Sequence, residues 1–405
     1  MTTLTMRSDP SGYWLEHALL VWVFMSLILI ASSACRSSGH YPVDRSIING
    51  LETVMNPDYP RDGTTEVTLE SSLIIGEQTD NENPIFNRIS DVVVDEAGRI
   101  YVLDSGDVKV KVFSSSGEPL LTFGSPGQGP GDFGTATSFA LSPLGNILIN
   151  DVEIRRIEVF SGKGLYLREW KTDGPVFLIG IDQTGILYMT RSTRWDRETG
   201  REERAFECYK DNGSFLNRIT SIEALTGTRS FYRGRSGFTR TGYEHGAINY
   251  ILGEGGLLYL GCSSDYFFSV YEANGKLIRK FGRHFKPIPV RTEDTTRIFG
   301  KLAPDFESLM PKTKPPFQSS SSSLLEENGR LWVPTFERES DGLTYDVFGR
   351  DGIYEKKIFI RAEPRLLKPL FFKAGFLYSI DTDKEGLHRV TRSRVVFPEN
   401  LKSSS

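Results

Sequence analysis

A repeat with a fixed register constrains the fold of this chain more than any other feature. Counted from Gly98, Gly145 or Gly256, an aromatic residue follows at +15 and a second glycine at +19, with no gap in any of the three windows. Gly185 and Gly329 begin further copies, in which the aromatic and the glycine keep their spacing of four after a longer loop. With a last start at Gly375, the sequence contains six copies.

Each copy is expected to form one small antiparallel sheet. The first copy contains four segments with alternating apolar residues, DVVVD, IYVLD, VKVFS and PLLTFG, separated by turns that contain Gly, Asp or Asn. A lone four-stranded sheet cannot bury both of its faces, but sheets stacked around an axis bury them against each other. The sequence therefore predicts an all-β fold, a six-bladed β-propeller of four-stranded antiparallel blades.

The strand missing from the last copy lies at the other end of the chain. The copy that begins at Gly375 supplies only three strands. Residues 67–75 align with the outer strand of the first copy, because Ile75-Gly76 matches Phe123-Gly124. We expect these residues to form the outer strand of the last blade, which closes the ring non-covalently and removes two sheet edges.

The stretch TFGSPGQGPGDFG, from Thr122 to Gly134, has the composition of a phosphate-binding loop. Such a loop needs its glycines to open a helix. The residues after Phe133 are TATSFALSPLG, which predict a strand and a turn. The stretch also stands where other copies join an outer strand to the next inner strand, so it is interpreted as a link between blades.

The segment from Leu19 to Cys35 predicts export. Its unbroken apolar part of about 13 residues suits a secretory signal and is short for a membrane span. It ends in SSAC, which resembles the signal of bacterial lipoproteins and makes Cys35 the lipidation site, although Ser32 stands where leucine is usual. An ordinary cleaved signal and an uncleaved membrane-anchoring helix stay open. Each alternative places the rest of the chain outside the cytoplasm.

The predicted organisation has three parts. Residues 1–35 form the signal peptide, residues 36–63 a flexible tether with no fold of its own, and residues 64–400 the propeller. The predicted location is the cell envelope, as a periplasmic or outer-membrane-associated lipoprotein.

The first copy, GRIYVLDSGDVKVKVFSSSGEPLLTFGSPGQGPGDF, resembles an NHL-type repeat. Together with the lipoprotein-like signal and the closing N-terminal strand, it is similar to the six-bladed β-propeller lipoproteins of bacteria. The resemblance covers residues from about 67 to 397. It implies a binding platform for a protein, peptide or glycan partner. Some six-bladed relatives are metal-dependent lactonases or lyases, so an enzyme of that kind is the alternative.

Long insertions are concentrated on one face of the predicted propeller. Residues 221–246 and 283–316 lie in links between blades, and residues 191–205 in a loop that joins a second strand to a third. Functional loops on a rigid scaffold cluster in this way. The first insertion holds the candidate ligand-binding residues Arg229, Tyr232, Arg233, Arg235, Arg240, Tyr243 and His245. Arginine and tyrosine together suit carboxylates, acidic sugars or peptides.

Other classes of site receive less support from the sequence. The histidines have no metal-ligand spacing, so neither a metal site nor a cofactor is predicted, while calcium stays open because oxygen ligands leave little sequence trace. The aspartates that end second strands, Asp104, Asp151 and Asp381, are interpreted as hairpin-turn acceptors.

A net charge of −4 and the export signal argue against a nucleic-acid partner. We expect a monomer that meets the membrane through its lipid anchor. Whether Cys208 and Cys262 pair is left open.

Overall fold

The computed structural model describes most of the predicted propeller and the segment before it. The described residues are 41–76, 85–196, 201–225, 228–233, 236–241, 246–293, 312–318, 324–337, 342–362, 367–382 and 386–398. One compact unit spans Val43–Ser405. Cys35, the predicted lipidation site, lies outside the described residues. No helix in the described part of the chain is long and apolar enough to cross a membrane.

Three strands precede the repeats: β1 (Asp44–Ile48), β2 (Leu51–Asn56) and β3 (Thr64–Ile75). Blade one contains β4 (Ile89–Val94), β5 (Ile100–Asp104), β6 (Lys109–Phe113) and β7 (Pro119–Phe123). Blade two contains β8 (Ala136–Leu141), β9 (Ile147–Asp151), β10 (Arg156–Phe160) and β11 (Tyr166–Lys171). Blade three contains β12 (Phe177–Ile181), β13 (Leu187–Asp196), β14 (Arg201–Tyr209) and β15 (Phe215–Leu225).

A separate hairpin follows blade three: β16 (Thr228–Arg233) and β17 (Ser236–Thr241). Blade four contains β18 (Ile248–Gly253), a 3-10 turn (Glu254–Gly256), β19 (Leu257–Cys262), β20 (Phe267–Tyr271) and β21 (Leu277–Arg283). Blade five contains β22 (Leu325–Glu327), β23 (Arg330–Thr335), β24 (Gly342–Phe348) and β25 (Tyr354–Arg361). Blade six contains β26 (Leu367–Lys373), β27 (Phe376–Thr382), β28 (His388–Val396) and part of β3.

The predicted closure of the ring is confirmed. Residues 68–75 of β3 pair antiparallel with β28 and complete blade six. The preceding residues 64–67 pair in parallel with β25, the outer strand of blade five. One continuous strand therefore belongs to two neighbouring blades.

The prediction of a tether without a fold is wrong for residues 44–56. These residues form β1 and β2, and β2 pairs in parallel with β21 as a fifth strand of blade four. The amide of Asn56 anchors the segment, because Nδ2 donates to the carbonyls of Gly282 and Gly352 at 2.8 Å each. We call residues 44–75 the N-terminal belt, since they run along the outer strands of blades four, five and six.

Apolar side chains fill the spaces between adjacent blades. Between blades four and five the packing is aromatic, with the ring centroids of Phe268 and Phe281 5.7 Å apart and those of Phe281 and Phe348 5.2 Å apart. Burying one such side chain contributes about 1.5–3 kcal/mol, and aromatic pairs add about 0.5–1.5 kcal/mol. The blades thus form a rigid support for the loops between them.

The prediction that residues 191–205 form a loop is wrong at both ends of this stretch, where the residues belong to strands. β13 and β14 extend past the body of blade three and pair as far as Asp196 and Arg201. β15 extends beside them to Leu225. The strand extensions consist mostly of polar residues, and Nη1 of Arg201 lies 3.5 Å from Oε1 of Glu223 on the neighbouring strand. The cysteines Cys208 and Cys262 are both free thiols.

Candidate functional site

The links between blades and the loops that join second strands to third strands share one face, because successive strands of a blade are antiparallel. We call this the insertion face, since the described parts of residues 191–205, 221–246 and 283–316 belong to it. The loops at the opposite face are short turns such as Asp95–Gly98 and Ser114–Gly117. The glycines of these turns have positive φ, 78° at Gly98 and 91° at Gly117, as the repeat register predicts.

The structure places four of the predicted ligand-binding residues on the hairpin β16–β17. Arg229 and Arg240 are opposite each other in its register, Arg233 is opposite Ser236, and Tyr232 lies between these pairs. Arg235, Tyr243 and His245 lie outside the described residues. The hairpin does not pair with any blade strand in the described part of the chain.

The aspartates that end second strands are turn acceptors in blades one and two, as predicted. Oδ1 of Asp104 accepts the amide of Gly106 at 3.1 Å, and Oδ1 of Asp151 accepts the amide of Glu153 at 3.2 Å. Both carboxylates also hold the incoming link, since Asp104 accepts the Arg88 amide at 2.9 Å. Burial alone would raise the pKa of Asp104, but the amide of Arg88, the ammonium of Lys111 and the amide of Asn87 lower it to about 2. Asp381 accepts the hydroxyls of Ser379 and Thr391, and residues 383–385 of the turn that follows it lie outside the described residues.

The glycine-rich stretch is a link held by buried side chains, as predicted. The guanidinium of Arg156 donates to the carbonyls of Gln128, Gly129 and Asp132 at 2.7–3.1 Å. Gly124 has a φ of 90°, and a Cβ there would clash with the ring of Phe133. We therefore interpret the glycines as residues that allow a tight turn of the backbone, and not as a phosphate-binding loop.

The mouth of the central channel holds a pocket of about 430 Å³ on the insertion face. Inner strands of blades six, one and two form it together with their links. Its walls are lined by Arg88, Ile89, Ser90, Ser105, Val108, Gly134, Thr135, Ala136, Thr137 and Lys368. We call it the channel-mouth pocket. Its described lining contains two cations, four hydroxyl side chains and no carboxylate.

Both cations of the channel-mouth pocket lack a carboxylate partner among the residues that the structure describes. Arg88 is exposed, and its Nε donates to the hydroxyl of Ser105 at 3.0 Å. Lys368 comes from blade six and is also exposed. A guanidinium and an ammonium over one cavity, neither bonded to a carboxylate of the described residues, create a positive potential that attracts an anion.

A buried carboxyl group lies next to the channel-mouth pocket. Asp91 follows Ser90 on β4, and its oxygens accept the amides of Val92 at 2.9 Å and Phe139 at 3.1 Å. Burial raises the pKa of Asp91 to about 6, against the attraction of Lys368. The charge of the Asp91 carboxyl group beneath the pocket therefore changes with pH in the range just below neutrality.

A second, smaller pocket of about 200 Å³ lies between blades four and five on the insertion face. Arg283 forms its wall, with Nε 2.7 Å from Asp346 and the guanidinium carbon 4.5 Å from the ring centroid of Tyr266. Lys286, which lies 3.0 Å from Asp58, is the exposed cation of this pocket. Each cation here has a carboxylate partner, so we expect this pocket to bind an anion more weakly than the channel-mouth pocket does.

The described residues contain no group of three or more His, Cys, Asp or Glu side chains that could hold a metal ion. Sequence reasoning missed the channel-mouth pocket because its residues come from three blades. The signal available in the sequence was that Arg88 and Thr135 occupy equivalent positions, each directly before the inner strand of its blade.

Comparison with known proteins supports the fold. Residues 62–247 match the model of the family DUF5128, described as a 6-bladed beta-propeller. The chain is a six-bladed β-propeller. No curated protein matches it significantly.

Solved structures of similar shape are distant in sequence. A candidate exported protein of Bacteroides fragilis NCTC 9343 is 11% identical with a TM-score of 0.51, over 82% of this chain and 99% of that one. A DUF4221 member from Bacteroides vulgatus ATCC 8482 is 11% identical with a TM-score of 0.48, over the same shares of the chains. Virginiamycin B lyase of Staphylococcus aureus is 11% identical with a TM-score of 0.41, over 76% and 95%. At 11% identity the first similarity shows the fold alone. The other two similarities have TM-scores below 0.5 and support no conclusion about this chain.

Proposed function

We propose that this propeller is an exported, lipid-anchored binding module that recognises an acidic partner on its insertion face. The partner is a protein, a peptide or a glycan, and one of its anionic groups enters the channel-mouth pocket. The observation that carries the proposal is the pair Arg88 and Lys368, two exposed cations over one cavity with no carboxylate in its described lining.

The chemistry of the channel-mouth pocket suits a carboxylate, sulfate or phosphate group. The guanidinium of Arg88 can offer a forked pair of N–H donors, and Lys368 adds a point charge. The hydroxyl of Thr137 can turn a lone pair or its hydrogen toward a ligand, whereas the hydroxyl of Ser105 already donates to the Arg88 carbonyl at 3.1 Å. The amides of the links are already bound by Asp104 and Asp151, so affinity comes from side chains.

The predicted signal supports export and lipidation at Cys35, and the similarity to a candidate exported protein is consistent with export. The hairpin β16–β17 carries further arginines of the same face and extends the surface offered to a large partner. The alternative, a metal-dependent lactonase or a lyase, rests on fold resemblance alone.

The test is thermal unfolding of the purified chain with citrate, sulfate, phosphate or glucuronate at constant ionic strength. A ligand that binds only the folded state stabilises it by about 2.7 kcal/mol at a hundredfold excess over Kd. We expect at least one anion to raise Tm for the wild type and to lose this effect in the double variant Arg88→Gln/Lys368→Gln.

The matched control is Lys286→Gln, which removes an exposed cation of the other pocket on the same face and is expected to keep the response. The pair Arg229→Gln/Arg240→Gln tests the hairpin separately, with binding of the acidic partner as the readout. If no anion stabilises the wild type, or if the double variant responds as the wild type does, the channel-mouth pocket is not the binding site.

A further inference from the structure

A third cavity, a cleft, lies on the flank of the propeller between blades two and three, and none of its lining residues belongs to either pocket described above. Its volume is about 330 Å³, within the range of small-ligand sites. Its lining residues are Trp170, Lys171, Thr172, Asp173, Val176, Met189, Arg191, Glu207, Tyr209, Gly213, Phe215 and Arg218. We call it the flank cleft.

Three aromatic rings stand along the flank cleft. Phe215 is 56% exposed, although it is a large apolar side chain. Its ring lies 5.5 Å from that of Tyr209, edge to face. Trp170 is half-buried on the blade-two side and packs over Gly213, where a Cβ would clash with the indole. Rings held in place with apolar surface left open are suited to stacking against the apolar face of a ring in a ligand.

The polar side of the flank cleft is built around one buried carboxylate. Glu207 is 2% exposed and accepts Nε of Arg191 at 3.1 Å, Nη2 of Arg218 at 2.9 Å and the hydroxyl of Tyr209 at 2.7 Å. Burial alone would raise the pKa of Glu207, but these three donors outweigh it and lower the pKa. The carboxylate therefore stays ionised and fixes both guanidinium groups.

Each of these arginines keeps donors for a ligand. Arg191 and Arg218 use Nε and Nη2 on Glu207, so Nη1 of both has no partner among the residues that the structure describes. The lining holds three cations and two carboxylates, because Lys171 and Asp173 add one of each. The cleft thus carries a net positive charge and fits an anion.

We propose that the flank cleft binds an acidic saccharide, a sugar ring that bears a carboxylate or a sulfate. The apolar face of a sugar ring would stack on Trp170 or Phe215, and its acidic group would take the free donors of Arg191 and Arg218. A lone inorganic anion would leave the aromatic surface unused, and a neutral apolar ligand would leave the fixed guanidinium donors unpaired. The combination of rings and oriented arginines is what selects the acidic sugar.

The test is binding of the labelled full chain to an array of oligogalacturonate, hyaluronan and heparan sulfate fragments beside chitin and cellulose oligosaccharides. Methyl-esterified oligogalacturonate is the matched neutral probe, because it keeps the ring and loses the charge. We expect binding to acidic glycans alone, with affinity reduced at least tenfold in both Trp170→Ala and Arg218→Gln.

Two controls keep the result interpretable. Arg330→Gln removes an arginine of similar side-chain exposure, 50% against 45% for Arg218, on blade five, and is expected to bind as the wild type does. Arg218→Gln leaves Glu207 paired with Arg191 and Tyr209, so its fold is expected to survive even if Trp170→Ala unfolds. Circular dichroism checks the fold of each variant.

Three outcomes overturn the inference: no acidic glycan binds above its neutral counterpart, the esterified probe binds equally well, or Arg218→Gln binds as the wild type does. Loss of glycan binding only in Arg88→Gln/Lys368→Gln would overturn the flank cleft and leave the channel-mouth proposal standing. Loss only in the flank variants supports the cleft, whatever the anion titrations of the channel mouth show.

Discussion

Replacing Asn56 with alanine is the sharpest test of whether the N-terminal belt is an integral part of the propeller. The Asn56 side chain is fully buried and makes three hydrogen bonds, two as donor to Gly282 and Gly352 and one as acceptor from the Tyr354 amide at 2.9 Å. The alanine variant leaves two carbonyls and one amide without this partner inside the protein. Each unsatisfied buried group costs about 1–3 kcal/mol, so for three such groups we expect a loss of about 3–9 kcal/mol.

The assay is urea unfolding of wild type and variant, followed by tryptophan fluorescence and circular dichroism. Asn146→Ala is the matched control, because that side chain makes no hydrogen bond within the described residues, and its effect is expected to stay within about 0.5 kcal/mol. Asn56→Asp keeps the shape and removes the two donors, and it is expected to destabilise at pH 7 at least as much as alanine does. A loss below about 1 kcal/mol for Asn56→Ala would refute the assignment of the belt to the folded core.

Two further predictions concern the link between blades one and two. Burial raises the pKa of Glu158 to about 7, so the folded state holds its proton more tightly than the unfolded state does, and stability should fall as pH rises from about 4.5 to 7. Glu158→Gln is expected to reduce this dependence and to gain about 1–3 kcal/mol at pH 8, measured by urea midpoints across pH, whereas unchanged pH profiles would contradict the shift. Gly124→Ala is expected to cost about 3 kcal/mol, because a Cβ meets a buried ring there, and Gly145→Ala only about 1 kcal/mol, because its surroundings are open, although both have positive φ. Equal losses of Tm in the two glycine variants would show that backbone conformation alone determines the cost.

The blades could be predicted from the sequence because each is a local pattern repeated in register. The alternation of apolar residues and the glycines at fixed offsets depend only on neighbours in the chain, and Gly98 and Gly117 occupy the turns that they predict. The closing strand at 67–75 could be predicted as well, because it aligns with other outer strands. The belt before it could not, because Leu51–Asn56 matches no repeat and gains its order from blade four.

The candidate sites were harder to predict for the same reason. The channel-mouth pocket combines Arg88 with Lys368, and the flank cleft combines Trp170 with Arg218, pairs that only the packing of different blades brings together. Sequence reasoning selected the arginine-rich insertion because its residues are close in sequence. A local cluster of charge is visible in a sequence, whereas a cavity between blades is a property of the folded ring.

The belt also determines the order in which this protein can be completed. Asn56 bonds to residues 226 and 296 positions later in the chain, and Ser72 to a residue 320 positions later. Contacts of such long range form slowly, because chain entropy must be lost before they are gained. The ribosome synthesises the belt before its partners in blades four to six. The belt therefore remains an unpaired strand until blades four to six are complete. At that stage it can bind a chaperone or aggregate.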